Sequence, residues 1–143
     1  MIRATSWKHD DVVDAATALA LLDDISITLT RSLDTSSLPN EPRMMQVWYE
    51  RIEPRQSPAA VVSLDGTVKV SARIVRWGSN HQPNDVLKIL SAPLGRILVR
   101  VHCSYLLDQK KKPISSTPEV VLQAGFPAMP GGIFESWFFV KGG

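Results

Sequence analysis

Alternation of hydrophobic and polar residues with a period of two dominates the chain and predicts a protein made mainly of strands. Asp65-Gly66 separates two of the alternating runs, and this dipeptide is typical of a two-residue β-hairpin turn. We therefore expect the runs on either side of it to pair antiparallel. The predicted strands are Met44–Ile52, Ala59–Leu64, Thr67–Arg76, Gly95–Leu107 and Ile133–Val140.

Helical periodicity is confined to two segments. Between Asp10 and Leu22 the apolar residues recur at helical spacing, and an aspartate at either of the first two positions can cap the helix. Asp14 would favour the positive N-terminal end of that helix. A shorter helix is predicted from Asn84 or Asp85 to Leu90. The segment Ile25–Leu33 fits a strand or, in its second half, a short helix.

Strands outnumber helices and are joined by short connections, which predicts the α+β class, with a single antiparallel β-sheet and helices packed on one face. A chain of 143 residues is predicted to form a single domain over residues 1–143. Residues 108–132 are polar and then rich in Pro and Gly, so they are predicted to form a mobile flap with a short candidate strand at Glu119–Gln123.

Composition and charge argue against several classes of binding partner. A net charge of +2 is too small to indicate nucleic acid, and the run Lys110–Lys112 is typical of a solvated loop. No apolar run approaches the roughly 20 residues that span a bilayer, and the N-terminus has no signal-peptide core. The single cysteine, Cys103, excludes an internal disulfide and is expected to be a small buried hydrophobic residue. We expect a cytoplasmic monomer or homodimer that binds neither nucleic acid nor membrane.

One carboxylate, Glu135, lies within the most aromatic stretch of the chain, Ile133–Val140. Both faces of that strand are apolar, which predicts a central strand covered on both sides. A buried acid loses its hydration, and proteins use such groups as proton carriers or ligand anchors. The alternatives are a structural ion pair with an arginine, or an outward-facing residue of an edge strand.

Standard catalytic and metal-binding signatures are absent. The sequence has no nucleophile elbow, no dinucleotide-binding glycine motif and no phosphate-binding loop. Its three histidines are far apart and accompany no cysteine pair, so neither a metal nor another cofactor is predicted. Polar residues on apolar strands could instead line one pocket, where arginines would suit a carboxylate, or they could be unrelated surface residues. These residues are Arg73, Arg100, His102 and Glu135.

Four short segments carry a family resemblance. They are Leu29–Asp34, Val61–Gly66 with the following Ala72-Arg73, Pro93–Arg96 and Glu135–Phe138. In this order they resemble the chorismate pyruvate-lyase family, whose fold is shared by the effector domains of certain bacterial transcription regulators.

The resemblance implies a chorismate-lyase-like fold and a cofactor-independent lyase of aromatic biosynthesis or secondary metabolism. Such an enzyme eliminates pyruvate from chorismate, or from a related small cyclic carboxylate, to give a 4-hydroxybenzoate-type product in an enclosed apolar pocket. The resemblance implies that Glu135 is the catalytic residue. The candidate substrate-binding residues are Arg55, Arg73, Leu94, Gly95 and Trp137.

The sequence departs from the family just before the predicted hairpin. Pro58, Ala59 and Ala60 occupy the neighbourhood of the arginine that grips the substrate in the lyases. This departure favours an alternative enzyme, a biosynthetic cyclase or lyase that acts on a more apolar natural-product intermediate in the same pocket. A third hypothesis is a non-catalytic domain that binds an aromatic ligand.

Overall fold

The computed structural model describes residues 2–34, 44–54, 60–116 and 131–142. The strands are β1 (Ile2–Thr5), β2 (Val12–Asp14), β3 (Ile25–Leu29), β4 (Met45–Glu53), β5 (Val61–Leu64), β6 (Gly66–Val70), β7 (Ile74–Ser79), β8 (Leu94–His102) and β9 (Ile133–Lys141). The helices are α1 (Ala15–Asp23) and α2 (Pro83–Ile89), with one 3-10 turn at Cys103–Tyr105.

These strands form two sheets with a shared apolar core. A four-stranded sheet has the order β1-β3-β7-β6, and a five-stranded sheet has the order β2-β9-β8-β4-β5. All neighbouring strands pair antiparallel except β2 and β9, which are parallel. The core takes every second residue of the inner strands of both sheets, as period two requires. Its members include Ile25, Ile27, Leu29, Val75 and Trp77 on one side and Ile97, Val99, Val101, Phe138 and Val140 on the other.

The predicted α+β class, with a single sheet and helices on one face, is therefore wrong, since the chain is mostly β with two sheets. An amphipathic sheet must cover its apolar face, and in this chain a second sheet covers it. The helices are too short for that task, because α1 has 9 residues and α2 has 7. The predicted helix at Asn84–Leu90 is nevertheless confirmed as α2, which begins at Pro83.

The N-terminal helix begins later than predicted. Residues Val12–Asp14 form a strand, and Asp14 caps α1 by accepting a 2.7 Å hydrogen bond from the Thr17 main-chain N–H at its Oδ1. The tertiary structure overrides the helical pattern here because the main chain bonds to β9. The Asp10 N–H donates to the Trp137 carbonyl and the Phe139 N–H donates to the Asp11 carbonyl.

The predicted hairpin at Asp65-Gly66 is also wrong, since β5 and β6 belong to different sheets. This dipeptide carries the chain from one sheet to the other, and Gly66 is needed for close packing. A Cβ there would lie 2.0 Å from Trp77 Cε2. The actual hairpin joins β6 to β7 through residues 71–73, which include neither Gly nor Pro.

The predicted strand Thr67–Arg76 is also wrong, because it is divided between β6 and β7. In the segment Ile25–Leu33, which was left open between strand and helix, Ile25–Leu29 forms strand β3. The long predicted strand Gly95–Leu107 ends at His102, where the 3-10 turn begins. The candidate strand at Glu119–Gln123 and most of the proposed flap lie outside the described residues. No helix in the described ranges is long and apolar enough to cross a membrane.

Candidate functional site

Glu135 lies on the outer face of the five-stranded sheet. Its Oε1 accepts a 2.6 Å hydrogen bond from Arg100 Nε on the neighbouring strand, and the two side chains are 40% and 35% exposed. The prediction that β9 is covered on both faces is therefore wrong, because only its even-numbered residues enter the core. The ion pair with an arginine, one of the alternatives raised by the sequence, is the arrangement observed.

The ion pair belongs to a larger outward-facing set, which we call the Trp–Arg face. It consists of Trp48, Glu50, Arg96, Leu98, Arg100, Glu135 and Trp137 on β4, β8 and β9. Arg96 pairs with Glu50 at 2.5 Å and lies over the Trp137 ring, 5.5 Å from its centroid. Arg100 lies over Trp48 at 4.9 Å.

The Trp–Arg face is approximately symmetric about Leu98. Leu98 is in register with a tryptophan on each side, Trp137 on β9 and Trp48 on β4. Arg96 and Arg100 flank it along β8, and each binds a glutamate on one neighbouring strand and a tryptophan on the other. Each arginine is thus already occupied, so this face presents balanced charges rather than a free cation for a substrate carboxylate.

A cavity of about 390 Å³ lies between β1 of one sheet and β9 of the other. Its apolar wall is formed by Ile2 and Phe134, while Arg3, His9 and Glu135 are exposed at its rim. The cavity therefore opens to solvent at the edge of the sandwich. Its lining residues are Ile2, Arg3, Ala4, Thr5, His9, Phe134, Glu135 and Ser136.

A hydrogen-bond network holds His9 at this cavity. Trp7 Nε1 donates to Ser136 Oγ at 2.8 Å, and the same oxygen lies 2.9 Å from His9 Nδ1. The Trp137 main-chain N–H also points to His9 Nδ1, at 3.4 Å. A main-chain N–H can only donate, so Nδ1 is an acceptor, and the Ser136 hydroxyl can donate to it while accepting from the Trp7 indole. His9 then carries its proton on Nε2.

Among the described residues, part of the β9 edge beside the cavity has no main-chain partner. The Trp137 carbonyl and the Phe139 N–H both bond to the segment that leads into β2. Because main-chain groups of alternate residues point to the same side of a strand, those of Ile133 and Glu135 point the same way. Within the described ranges, no main-chain group pairs with them on that side. The Ile133 side chain is 52% exposed.

The structure separates most of the predicted site residues. Glu135 and Trp137 share the Trp–Arg face. Leu94 and Gly95 are the first two residues of β8, at the end of that strand away from Glu135. Gly95 faces inward, and a Cβ there would lie 2.2 Å from the Tyr49 hydroxyl oxygen.

Of the two predicted arginines, only Arg73 lies among the described residues, and it is not on the Trp–Arg face. Arg73 lies in the β6–β7 turn, where its Nε donates to Ser32 Oγ at 3.4 Å beside a second cavity of about 380 Å³. Arg55 lies outside the described residues. The roles assigned to all six residues stay predictions.

The sequence reasoning missed His9, Ser136 and the free edge. Ser136 and His9 are 127 positions apart, and no local spacing signals their contact. The edge depends on how far β2 extends along β9, which is a property of the tertiary structure. The sequence did, however, predict that the odd-numbered residues of β9 share one face.

The described part of the chain shows no group of three or more His, Cys, Asp or Glu side chains that could hold a metal ion. Met44 and Met45 are buried in the core. Cys103 is also fully buried, which confirms that prediction, and burial raises the pKa of its thiol to about 11. A thiol that stays protonated is a poor metal ligand.

No protein-family model matches the chain, and no curated protein matches it. Among solved structures, it is similar to a selenomethionine form of PcoC, a copper resistance protein from Escherichia coli, with 10% identity, 99% of each chain covered and a TM-score of 0.49. A second structure of PcoC, described as methionine-rich, has 9% identity, covers 98% of this chain and 96% of its own, and has a TM-score of 0.43. Likenesses this low carry no functional argument.

The resemblance to the chorismate pyruvate-lyase family is wrong. The chain forms two facing sheets rather than the single sheet covered by helices that the resemblance implied. The lyase, the related cyclase and the aromatic-ligand domain all required a small-molecule substrate in an enclosed pocket. The cavity beside Glu135 is instead an open one at the sandwich edge, so the predicted function and partner are wrong as well.

Proposed function

We propose that this chain is a peptide-binding module, and that it takes an extended segment of a partner protein as an added strand beside β9. The observation that carries this proposal is the edge at Ile133 and Glu135, whose main-chain groups point away from β8 next to an open cavity. A free strand edge is a template for pairing with another chain.

Main-chain bonds alone would give weak binding. Ile133 and Glu135 together offer two N–H donors and two carbonyl acceptors. At about 0.5–1.5 kcal/mol net for each bond, the four bonds fall short of the roughly 8 kcal/mol that a micromolar complex needs. Side-chain burial must therefore supply the remainder.

The cavity and the exposed Ile133 side chain can supply that burial. Alternate side chains of an added strand point to opposite faces. One set would enter the cavity between Ile2 and Phe134, and the other set would pass over the outer side of β9 beside Ile133. An extended peptide with apolar residues at alternate positions fits this arrangement.

A proline substitution tests the proposal. In Glu135→Pro the lost N–H is the one that faces the free edge, while the bonds of Phe134 and Ser136 to β8 remain. The matched control is Glu135→Ala, which removes the same ion pair with Arg100 and keeps the N–H. The probe is a fluorescein-labelled six-residue peptide of alternating threonine and valine, followed by fluorescence anisotropy.

We expect the original chain and Glu135→Ala to bind the probe, and Glu135→Pro to bind it at least about tenfold more weakly. Methylation of alternate amide nitrogens in the peptide should weaken binding in the same way, since it removes the donors of an added strand. Equal binding by the two variants, or no saturable binding up to about 1 mM probe, would refute strand addition. Circular dichroism of each variant verifies that it remains folded.

A further inference from the structure

We infer that the edge of β9 receives the C-terminal end of its peptide, and that Arg3 and His9 bind the terminal carboxylate. This inference rests on the proposed strand addition and specifies its ligand. The chemical class is an extended peptide with a free C-terminus and an apolar last side chain.

Arg3 provides a cation at the cavity rim. It lies on β1 among the lining residues and is exposed. Across the described ranges, no carboxylate forms an ion pair with it. The acid on the cavity wall, Glu135, is already held by Arg100. A ligand anion would therefore meet a guanidinium whose charge is not neutralised by a neighbour.

His9 provides a second donor. Its Nδ1 accepts from the Trp137 main-chain N–H and lies within hydrogen-bond distance of the Ser136 hydroxyl. The Nε2–H is then left to donate, and no described residue accepts from it. A guanidinium and an imidazole N–H at one rim match the acceptor oxygens of a carboxylate.

The path of the chain explains why the peptide should end at this point. No main-chain group in the described ranges pairs with the edge of β9 at Ile133 and Glu135, but from Trp137 onward that edge is occupied by the segment that leads into β2. An added strand cannot continue past His9 along the same edge. A peptide that follows this edge must therefore end beside His9, with its N-terminus or its C-terminus at that point.

Charge decides between the two termini. A peptide parallel to β9 would place its carboxylate beside Arg3 and His9, whereas an antiparallel one would place a cationic amino terminus beside the Arg3 guanidinium. Unlike charges attract and like charges repel, so the parallel direction is favoured. β2 already pairs parallel to β9 on this edge. The last side chain would then enter the apolar part of the cavity, between Ile2 and Phe134.

The test compares two forms of the alternating threonine–valine probe, both ending in valine, one with a free carboxylate and one with a C-terminal amide. We expect the free acid to bind the full chain about tenfold more tightly than the amide. Arg3→Gln should remove most of that preference. Arg76→Gln makes the same change of charge on another strand and should leave the preference intact.

His9 is tested by two substitutions. His9→Phe removes the donor and should reduce the preference for the free acid, while His9→Gln can replace the Nε2–H with an amide N–H and should retain more of it. Equal binding of acid and amide, both weakened by Glu135→Pro, would overturn the carboxylate inference and leave strand addition standing. A preference for the acid that survives both Arg3→Gln and His9→Phe would overturn the assignment of these residues. If neither probe binds, both proposals fail.

Discussion

Glu135 and Arg100 form an ion pair across β9 and β8 on the outer face of the five-stranded sheet, with both side chains more than a third exposed. Water reaches the pair and screens its attraction, so the Glu135 carboxylate keeps much of its hydration. Arg100 also lies over Trp48, which ties β9 to β4 through the strand between them.

Replacing Glu135 should have little effect on folding. We expect Glu135→Gln to lower the free energy of unfolding by no more than about 1 kcal/mol, because exposed ion pairs contribute little. Arg100→Met should cost more than Glu135→Gln, since it removes the ion pair and the cation–π contact together. Urea unfolding measures both values. A loss of about 3 kcal/mol or more in Glu135→Gln would indicate a buried pair instead.

Gly95 allows Tyr49 to pack directly on β8. A Cβ at position 95 would lie 2.2–2.3 Å from the hydroxyl oxygen, Cε2 and Cζ of that ring. We expect Gly95→Ala to destabilise the protein by about 1–3 kcal/mol through overpacking, measured by thermal and urea unfolding.

Tyr49→Phe is the companion variant for Gly95→Ala. The Tyr49 hydroxyl is buried, has no hydrogen-bond partner among the described residues and has a pKa raised mainly by its desolvation. Removing it should leave stability unchanged or slightly improved. The combination with Gly95→Ala should remain destabilised, because Cε2 and Cζ still occupy the space. If adding Tyr49→Phe restored the stability lost in Gly95→Ala, the steric clash would be with the hydroxyl oxygen rather than with the ring.

The Cys103 thiol should be unreactive in the native protein. It is fully buried, and desolvation raises its pKa to about 11, so almost no thiolate exists at pH 8. We expect an aromatic disulfide reagent to label Cys103 only after denaturant is added. Rapid labelling of the native protein would show that the region around the 3-10 turn opens readily. Cys103→Ser supplies the unlabelled control.

Asp108 should make stability depend on pH in the acid range. Its Oδ1 accepts main-chain hydrogen bonds from Lys112 and Lys110 at 3.0 and 2.9 Å, and these bonds, the former most of all, lower the pKa of the carboxyl below its usual 3.8. Arg31, at 3.5 Å, acts in the same direction.

A group whose pKa is lower in the folded state stabilises that state above the unfolded pKa. Its contribution is lost as the pH falls from about 3.8 through the lower folded value. Asp108→Asn keeps an acceptor oxygen but cannot titrate, so its stability should fall less between pH 7 and pH 3. Urea unfolding at the two pH values makes the comparison. Parallel losses in the original chain and the variant would contradict the assignment.

Local pattern was sufficient to locate many of the elements. Alternation in Met45–Glu53 and Ile133–Lys141 identified strands, because period two reflects one buried face whichever partner covers it. The same reasoning correctly treated Cys103 as a buried hydrophobic residue. The prediction that Asp10 or Asp11 caps the first helix was wrong, because the cap is Asp14.

The sequence could not reveal which sheet each strand joins. Val61–Leu64 and Gly66–Val70 alternate as a hairpin would, yet they belong to different sheets, and the connection at Asp65 is held by long-range bonds to His81 and Asn80. The two-sheet architecture was missed for that reason, and the family resemblance, which rested on short segments, failed with it.

By itself, the sequence determined where β4, β5, β8 and β9 lie and which residues of each share a face, because alternation depends only on neighbouring positions. The tertiary structure decided that Glu135 faces water beside Arg100 and that His9 meets Ser136. It also decided that β2 pairs with β9 only from Phe139 onward and leaves the edge at Ile133 and Glu135 without a partner among the described residues. These features depend on contacts between distant segments, which form only when two separate sheets pack around one core.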